Sequence, residues 1–254
     1  MKTLACIKRV PDTGAKIVLT EDKQDVDTSG IGYTISPHEE CAIEEAVQLA
    51  EDHSGTATAL TLGDGEAEEQ LRTAIAMGID EASMLEVDPA EWGPVATARA
   101  IAEAARDDDG DVAYDVLFFG NESADAQNYQ VGIRVARELG IPAVTGIKEF
   151  EVEDGTVTAK REVPGGAEVF EVDLPVAVTV KEGLNTPRYP SMRSRMQARR
   201  TELDHSTPEP MDVADVEMIE LEVPEQDDSP AEILGEDASA ASDAVAILKD
   251  MEVI

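Results

Sequence analysis

The stretch TATALTLGDGEAEEQLRTAIAMG, residues 56–78, decides the fold class of this chain. The run TATALTL (56–62) predicts a strand, and Gly63-Asp64-Gly65 marks its end. A helix is predicted to follow directly over 67–78, with Gly78 placed to end it in a left-handed conformation. A strand that passes through a short turn into a helix is the repeating unit of an α/β protein.

The same unit recurs on both sides of this stretch. A mostly apolar run at 3–10, closed by Pro11, predicts a first strand that is buried on both faces. The clearest helix start follows Ser36, because Pro37 fits the first helical position and Glu39 completes a capping box. The remaining predicted elements are a small hairpin at 16–28, strand 82–87, helix 94–106, strand 114–120 and helix 128–139. This alternation predicts a Rossmann-like parallel sheet with helices on both faces.

The pattern changes after Pro142. Three runs at 144–153, 156–163 and 168–180 have a hydrophobic period of two, and Asp-Gly and Gly-Gly turns separate them. They predict an antiparallel hairpin extension. Beyond Thr201 the chain becomes polar and proline-bearing, which predicts an extended C-terminal arm with a last helix over 243–251, capped by Ser242. An arm with so few apolar residues needs something to wrap around.

The stretch KEGLNTPRYPSMRSRMQARR, residues 181–200, departs from the composition of the whole chain. It holds six basic residues and one acid, whereas the chain has 55 acidic and 20 basic residues. Apolar side chains run between the charges. The composition fits a docking loop, or a basic segment that balances acidic surroundings. The predicted organisation is therefore an α/β domain over 1–183, a loop over 184–203 and an arm over 204–254.

Charge and composition limit the classes of function. The net charge of −35, with eight lysines and twelve arginines, is typical of a protein from a cytosol of molar salt, although an acidic protein from a low-salt cytosol is the alternative. Such a surface disfavours nucleic acid as a partner. No apolar stretch is long enough to span a membrane, and Lys8 and Arg9 interrupt the signal-like start, so the predicted location is cytoplasmic. The histidines lie far apart in sequence, so no metal site is predicted.

Candidate binding residues lie where predicted parallel strands end, because open α/β sheets bind ligands at that edge. The sequence has no P-loop, no G-x-G-x-x-G, no G-x-S-x-G and no nucleophile with a base nearby. It therefore offers no catalytic residue. The loop GNESADAQNYQVG (120–132) lies between a buried strand and a helix, and its backbone N–H groups could hold a phosphate at the helix N-terminus. By itself it could equally be an ordinary loop.

Several segments, in order along the chain, resemble the beta subunit of electron transfer flavoproteins. They are CIKRVPD (6–12), VDTSG (26–30), AEEQLRTAIAMGID (67–80), DVLFFG (115–120), QVG (130–132) and NTPRYPS (185–191). The resemblance covers roughly residues 2–200. It implies the fold of adenine nucleotide alpha hydrolases and an electron carrier, not an enzyme.

In that family the beta subunit binds AMP, and the redox FAD is shared with, and mainly held by, the alpha subunit. Carried over by position, the nucleotide contacts are Cys6, Ser36, Pro37, His38, Glu39, Leu62, Gly63, Gly120, Asn121, Glu122, Asp125, Gln127, Asn128, Gln130 and Val131. The family loop commonly reads Gly-Lys-Gln-x-x-Asp-Gly-Asp-Thr-Gly-Gln-Val-Gly. This chain has Asn121, Ala126, Gln127, Asn128 and Tyr129 in place of the Lys, Gly, Asp, Thr and Gly of that pattern, so the resemblance leaves open whether the ligand is AMP or a second FAD.

The resemblance also implies partners. They are the alpha subunit, which the arm would wrap, acyl-CoA and other dehydrogenases as electron donors, and a membrane quinone oxidoreductase as acceptor. The residues that would dock a dehydrogenase are Tyr189, Met192, Arg193, Arg195 and Met196. Alternatives are an electron-bifurcating subunit with a second FAD, a stand-alone nucleotide-binding module of the universal stress type, and an ATP pyrophosphatase. The glycine-rich runs that the last two require are missing.

Overall fold

The computed structural model describes residues 1–12, 14, 16–211, 219–224, 233–235 and 237–253. The strands are β1 (Lys2–Ile7), β2 (Val10–Pro11), β3 (Tyr33–Thr34), β4 (Thr56–Gly63), β5 (Glu81–Glu86), β6 (Val116–Gly120), β7 (Ala143–Ile147), β8 (Glu149–Glu153), β9 (Thr156–Val163), β10 (Gly166–Asp173), β11 (Val176–Val180) and β12 (Asp204–Ser206). The α-helices are α1 (Pro37–Asp52), α2 (Glu68–Met77), α3 (Pro94–Ala104), α4 (Val131–Leu139), α5 (Met192–Ala198) and α6 (Ala241–Asp250).

A seven-stranded parallel sheet forms the centre of the molecule, in the order β12-β5-β4-β1-β6-β11-β7. The side chains of β1 alternate between two buried clusters. Ala5 and Ile7 join the cluster that α1 and α2 cover, while Leu4 and Cys6 join the cluster under α3 and α4. The predicted parallel α/β sheet with helices on both faces is therefore confirmed.

Two of the predicted antiparallel runs divide between two sheets. Only β8, β9 and β10 form the antiparallel sheet, whereas β7 and β11, which lie in the first and last runs, belong to the parallel sheet. Every residue of β11 is buried. A strand that is buried on both faces carries apolar side chains on both, so its sequence does not alternate between polar and apolar residues. Its hydrophobic pattern therefore cannot show to which sheet it belongs. The antiparallel strands thus connect β7 to β11, where a helix would be usual.

The predicted C-terminal arm begins as part of the sheet. Its residues Asp204–Ser206 form β12, which pairs with β5 at the sheet edge. All three residues are exposed, so backbone hydrogen bonds hold β12 and no apolar pattern marks it. Residues 212–218 and 225–232 of the arm lie outside the described part. The last helix, α6, begins at Ala241, and the predicted Ser242 cap is wrong because the Ser242 hydroxyl donates to the Ser239 carbonyl.

Other boundaries also differ from the sequence prediction. The first strand ends at Ile7, and Val10–Pro11 pairs separately with β3. The predicted hairpin at 16–28 is reduced to one antiparallel bridge between Leu19 and Val26. By contrast, the capping box at the start of α1 is confirmed, and Gly78 ends α2 with a positive φ of 123°.

Arg188 fixes the chain that follows β11 to the surface of α1. Its backbone N–H and guanidinium donate to the Glu44 carboxylate at 2.9–3.2 Å, and the guanidinium also reaches Glu51 at 2.9 and 3.1 Å. The side chain of Glu44 is only 4% exposed, whereas that of Glu51 is 60% exposed. Burial would raise the pKa of Glu44, but the hydrogen bonds and charge of Arg188 hold it below its usual value. The contact between Arg188 and Glu44 therefore fixes the first part of the loop over 184–203 to α1.

Replacing Glu44 by Gln should lower the free energy of unfolding by about 2 kcal/mol, because it leaves the half-buried Arg188 without its main counter-charge. The matched change Glu51→Gln should cost within about 0.5 kcal/mol, since that carboxylate is exposed. Equilibrium denaturation of both variants measures the difference. Equal losses in the two variants would contradict the anchoring role of the buried carboxylate.

Candidate functional site

The strand order creates a crevice between β1 and β6. From β1 the chain runs to β4 and β5 on one side, then returns to β6 on the other. Connections on the two sides of such a reversal diverge, so ligands bind there, beyond the carboxyl ends of the strands. Cys6 is paired with Phe119 across this boundary. The predicted residues at the ends of β1 and β6 therefore meet at the reversal point.

The first turn of α1 closes one side of the crevice. Ser36 Oγ accepts from the Glu39 N–H at 3.2 Å, and Glu39 Oε2 accepts from the Ser36 N–H and hydroxyl at 3.1 Å. A Cβ on Gly120 would lie 2.7 Å from Glu39 Cγ. Only glycine allows β6 to end so close to α1, and this approach places Gly120 directly against Glu39.

Glu39 is a buried acid with an altered protonation equilibrium. Burial raises its pKa to about 7, although hydrogen bonds from Ser36 and the nearby Lys8 favour the ionised form. Burial and the charge of Glu39 also raise the pKa of the Cys6 thiol. Cys6 therefore stays protonated at neutral pH and packs as a small apolar side chain.

An ion pair joins the loops that leave β1 and β6. Lys8 Nζ lies 2.5 Å from Asp125 Oδ2. Burial would raise the pKa of Asp125, but the charge and hydrogen bond of Lys8 hold it below its usual value. This contact brings the predicted Asp125 to the crevice and adds Lys8, which was not among the predicted contacts.

His38 and Glu122 lie together across the crevice from different loops. His38 Nδ1 accepts from the Glu182 N–H at 2.8 Å, and His38 Nε2 lies 3.4 Å from Glu122 Oε1. The second oxygen of Glu122 is buried and has no hydrogen-bond partner among the described residues. A buried acceptor of this kind is suited to a ligand hydroxyl or N–H group.

Asn121 is held at the end of β6 with its amide donors free. Its N–H donates to the Val180 carbonyl at 2.9 Å, and its Oδ1 accepts from the Thr179 hydroxyl at 2.9 Å. The same hydroxyl accepts from the Gly146 N–H at 2.8 Å. Within the described part of the chain the NH₂ group of Asn121 has no partner, so it can donate to a ligand.

The N-terminus of α4 faces the end of the 120–130 loop without a side-chain cap. Gln130 makes no capping bond, and its Oε1 accepts from Arg134 Nε at 2.9 Å instead. Gln127 and Tyr129 both have positive φ, at 49° and 54°. Two residues other than glycine therefore adopt the left-handed conformation in this loop. One of them, Tyr129, stands where the family pattern has glycine.

The other predicted nucleotide contacts are less tightly assembled. Leu62 and Gly63 end β4, which neighbours β1 on the side away from β6. Pro37 is exposed in the first turn of α1, Asn128 is exposed in the 120–130 loop, and Val131 opens α4. Lys8, Thr179 and Glu182 were not predicted. The position of Lys8 directly after a buried strand could have marked it as a candidate. Thr179 lies in β11 and Glu182 just after it, far away in sequence from the other residues of the site.

The predicted docking residues form a separate surface around α5. This helix packs against α2, where Arg72 donates to the carbonyls of Ala198 and Thr201 at 2.9 and 3.3 Å. Tyr189, Met192 and Met196 are 88%, 77% and 57% exposed. Arg193 is exposed beside them, and the exposed Arg195 guanidinium lies 5.3 Å from the Tyr189 ring.

The crevice offers groups of the kind that a phosphorylated ligand needs. Asn121 and the open N-terminus of α4 offer donors for a phosphate, Lys8 offers a positive charge, and Glu122 offers an acceptor for a hydroxyl. In the described part of the chain no group of three or more His, Cys, Asp or Glu residues could hold a metal ion. None of the described helices is long and apolar enough to cross a membrane.

The raised pKa of Glu39 predicts a pH-dependent stability. The unfolded carboxyl titrates near 4.5 and the folded one at about 7, so the contribution of this group is full below pH 4.5 and is lost as the pH rises through 7. Glu39→Gln keeps a neutral acceptor for Ser36. The free energy of unfolding of the wild type minus that of Glu39→Gln should be about 3 kcal/mol larger at low pH than at high pH. Parallel curves for the two proteins would contradict the raised pKa.

The chain is similar in sequence to proteins of one known family. The sequence profile of the electron transfer flavoprotein domain matches residues 25–211. The chain is 34% identical to the electron transfer flavoprotein subunit beta of Bacillus subtilis, over 98% of both chains. It is 31% identical to the human subunit beta, over 99% of this chain and 98% of the human one. It is 37% identical to the subunit from Syntrophomonas wolfei, over 79% and 77%. The chain therefore belongs to the family of electron transfer flavoprotein beta subunits.

Proposed function

We propose that this chain is the beta subunit of a heterodimeric electron transfer flavoprotein in the cytoplasm. With an alpha subunit it carries electrons from acyl-CoA and other dehydrogenases, by way of FAD, to a membrane quinone oxidoreductase. It acts as a carrier and catalyses no reaction alone. The bound FAD supplies the redox chemistry and is held mainly by the alpha subunit.

The observation that carries the proposal is the convergence at the β1/β6 reversal point. Residues from three distant segments, around Cys6, Ser36 and Gly120, lie together in the crevice, and the family pattern assigns all three to a nucleotide. Gly120 touches the first turn of α1, so the loop after β6 and the capped end of α1 form one surface.

The nucleotide in this crevice is AMP. Asn121, Gln130 and Val131, at the end of β6 and the start of α4, would hold the phosphate, with Asp125 fixed by Lys8. His38 and Glu122 would hold the ribose, because the unpartnered oxygen of Glu122 could accept from a hydroxyl. AMP here has a structural role, because it covers polar groups that the protein alone leaves unpaired.

Docking of the dehydrogenase uses the exposed apolar side chains around α5. The exposed side chains Tyr189, Met192 and Met196 lie within eight residues of one another in sequence. Four exposed arginines lie between or just after them, at 193, 195, 199 and 200. In molar salt these charges act only over about 3 Å. Burial of an apolar side chain is not screened, so Met192 carries most of the docking energy by entering a pocket on the partner.

The C-terminal arm wraps the alpha subunit. After β12 and Met211 the described parts of the arm place apolar side chains in solvent: Ile219, Val223 and Ile233 are 85%, 64% and 83% exposed. No residue of α6 is buried, although Val245, Leu248 and Met251 lie on one side of it at helical spacing. So many exposed apolar side chains indicate that a partner covers this part of the chain.

Cofactor stoichiometry tests the proposal. The full-length chain, purified with its alpha partner, should hold one FAD and one AMP per heterodimer. Ser36→Ala should lower the AMP content, because it removes the hydroxyl at the first turn of α1, while Ser191→Ala, which removes the α5 cap, should not. Each cap also contributes about 1 kcal/mol to stability. Two flavins with no AMP would instead indicate the electron-bifurcating type, and no nucleotide at all would reject the site.

Met192→Ala should slow electron transfer from a dehydrogenase by about tenfold or more, equivalent to about 1.4 kcal/mol. Flavin content should stay unchanged, because Met192 is exposed on the subunit. The rate of flavin reduction against dehydrogenase concentration measures the effect at low and at molar salt. The control is Arg193→Ala. If the arginine change is the more damaging one in molar salt, the assignment of Met192 as the anchor is wrong.

A further inference from the structure

Lys181, the first residue after β11, lies between two contacts with the candidate nucleotide site. The carbonyl of the preceding residue, Val180, accepts from the Asn121 N–H at 2.9 Å. The N–H of the following residue, Glu182, donates to His38 Nδ1 at 2.8 Å. The backbone of Lys181 is therefore held between the loop after β6 and the first turn of α1.

The side chains of Lys181 and Asn121 both lie next to Gly146. A Cβ added to Gly146 would lie 3.5 Å from Lys181 Cε and 3.4 Å from Asn121 Oδ1. Gly146 has a φ of +68°, and the register of β7 and β11 shifts at this point. The absence of a side chain at Gly146 leaves room for both groups at the same edge of the sheet.

Lys181 has no counter-charge among the described residues, unlike the cations near it. Lys148 pairs with Glu162 at 3.2 Å, and Arg161 pairs with Glu168 and also bonds Thr145. Lys8, on the other side of the crevice, is paired with Asp125. Among the described residues Lys181 forms no ion pair and no side-chain hydrogen bond. A lysine left unpaired in a chain with 55 acids is available for an anionic ligand.

Asn121 supplies a matching donor. Its Oδ1 is taken by the Thr179 hydroxyl, and that bond turns the NH₂ group away from Thr179 and leaves it unpartnered within the described chain. A neutral amide donor and an ammonium group on neighbouring strand ends suit a phosphate, which accepts from several donors and gains from the charge. The family pattern commonly has lysine at position 121, so in this chain the positive charge lies on the neighbouring strand instead.

We propose that Lys181 is a phosphate ligand of the nucleotide site and that it acts together with the amide group of Asn121. The ligand is a nucleoside monophosphate or the corresponding phosphate of a dinucleotide, and the inference rests on the proposed nucleotide site. Lys181 thereby sets the preference of the site for a phosphorylated ligand over a nucleoside.

The experiment uses the full-length chain with its alpha subunit, freed of bound nucleotide. Calorimetric titrations compare AMP with adenosine, which lacks the phosphate, for the wild type, for Lys181→Gln and for Lys160→Gln. Lys160 is the control because it pairs with Glu149 on the antiparallel sheet and its loss changes the net charge equally. Lys181→Gln should weaken AMP about tenfold or more and leave adenosine unchanged, whereas Lys160→Gln should change neither.

Two further measurements separate a ligand from a structural residue. The affinity of the wild type for AMP should fall more steeply with added salt than that of Lys181→Gln, because one charge contact is lost. Adding Asn121→Lys to Lys181→Gln should restore part of the affinity for AMP. Equal AMP affinities of Lys181→Gln and Lys160→Gln, or an equal loss for AMP and adenosine, would overturn the proposal. A wild type that binds neither AMP nor FAD at this site would reject the nucleotide site itself.

Discussion

The whole structure depends on the burial of β1 at the centre of the parallel sheet. Leu4, Ala5, Cys6 and Ile7 are all at most 6% exposed, and they supply apolar side chains to both faces. Because β4 and β6 pair with opposite edges of this strand, the connections diverge at its carboxyl end. The crevice is a consequence of that topology, and ligand binding there needs no glycine-rich motif.

Helix α1 links the crevice with the segment that leads to α5. Its first turn carries Ser36, His38 and Glu39, while Glu44 and Glu51 farther along hold Arg188. The loop between β11 and α5 is bonded at both levels, through Glu182 near the crevice and through Arg188 near the docking residues. The position of the chain around Tyr189 therefore depends on the same helix that closes one side of the crevice.

Charge is used differently inside and outside the site. The exposed surface carries a large acidic excess, where each carboxylate is solvated and a single ion pair adds little. In the crevice the carboxylates are partly or fully buried, so each has a specific neighbour. Asp125 pairs with Lys8, and Glu122 lies beside His38. Glu39 accepts the capping hydrogen bonds from Ser36, and burial raises its pKa. A phosphate can enter such a site only where donors outnumber acceptors, which favours the side formed by Asn121, Lys181 and the start of α4.

The sequence by itself determined the α/β alternation, the capped start of α1, the glycine end of α2 and the family, because short-range periodicity, capping residues and local motifs encode them. It also placed candidate binding residues at the carboxyl ends of the parallel strands. Only the tertiary structure decided that β7, β11 and β12 join the parallel sheet, since a strand buried on both faces and an exposed edge strand both lack a diagnostic pattern. It alone brought Thr179 to Asn121, Glu182 to His38 and Arg188 to Glu44. Those contacts join residues 58–144 positions apart, through hydrogen bonds and ion pairs that no local pattern of residues records.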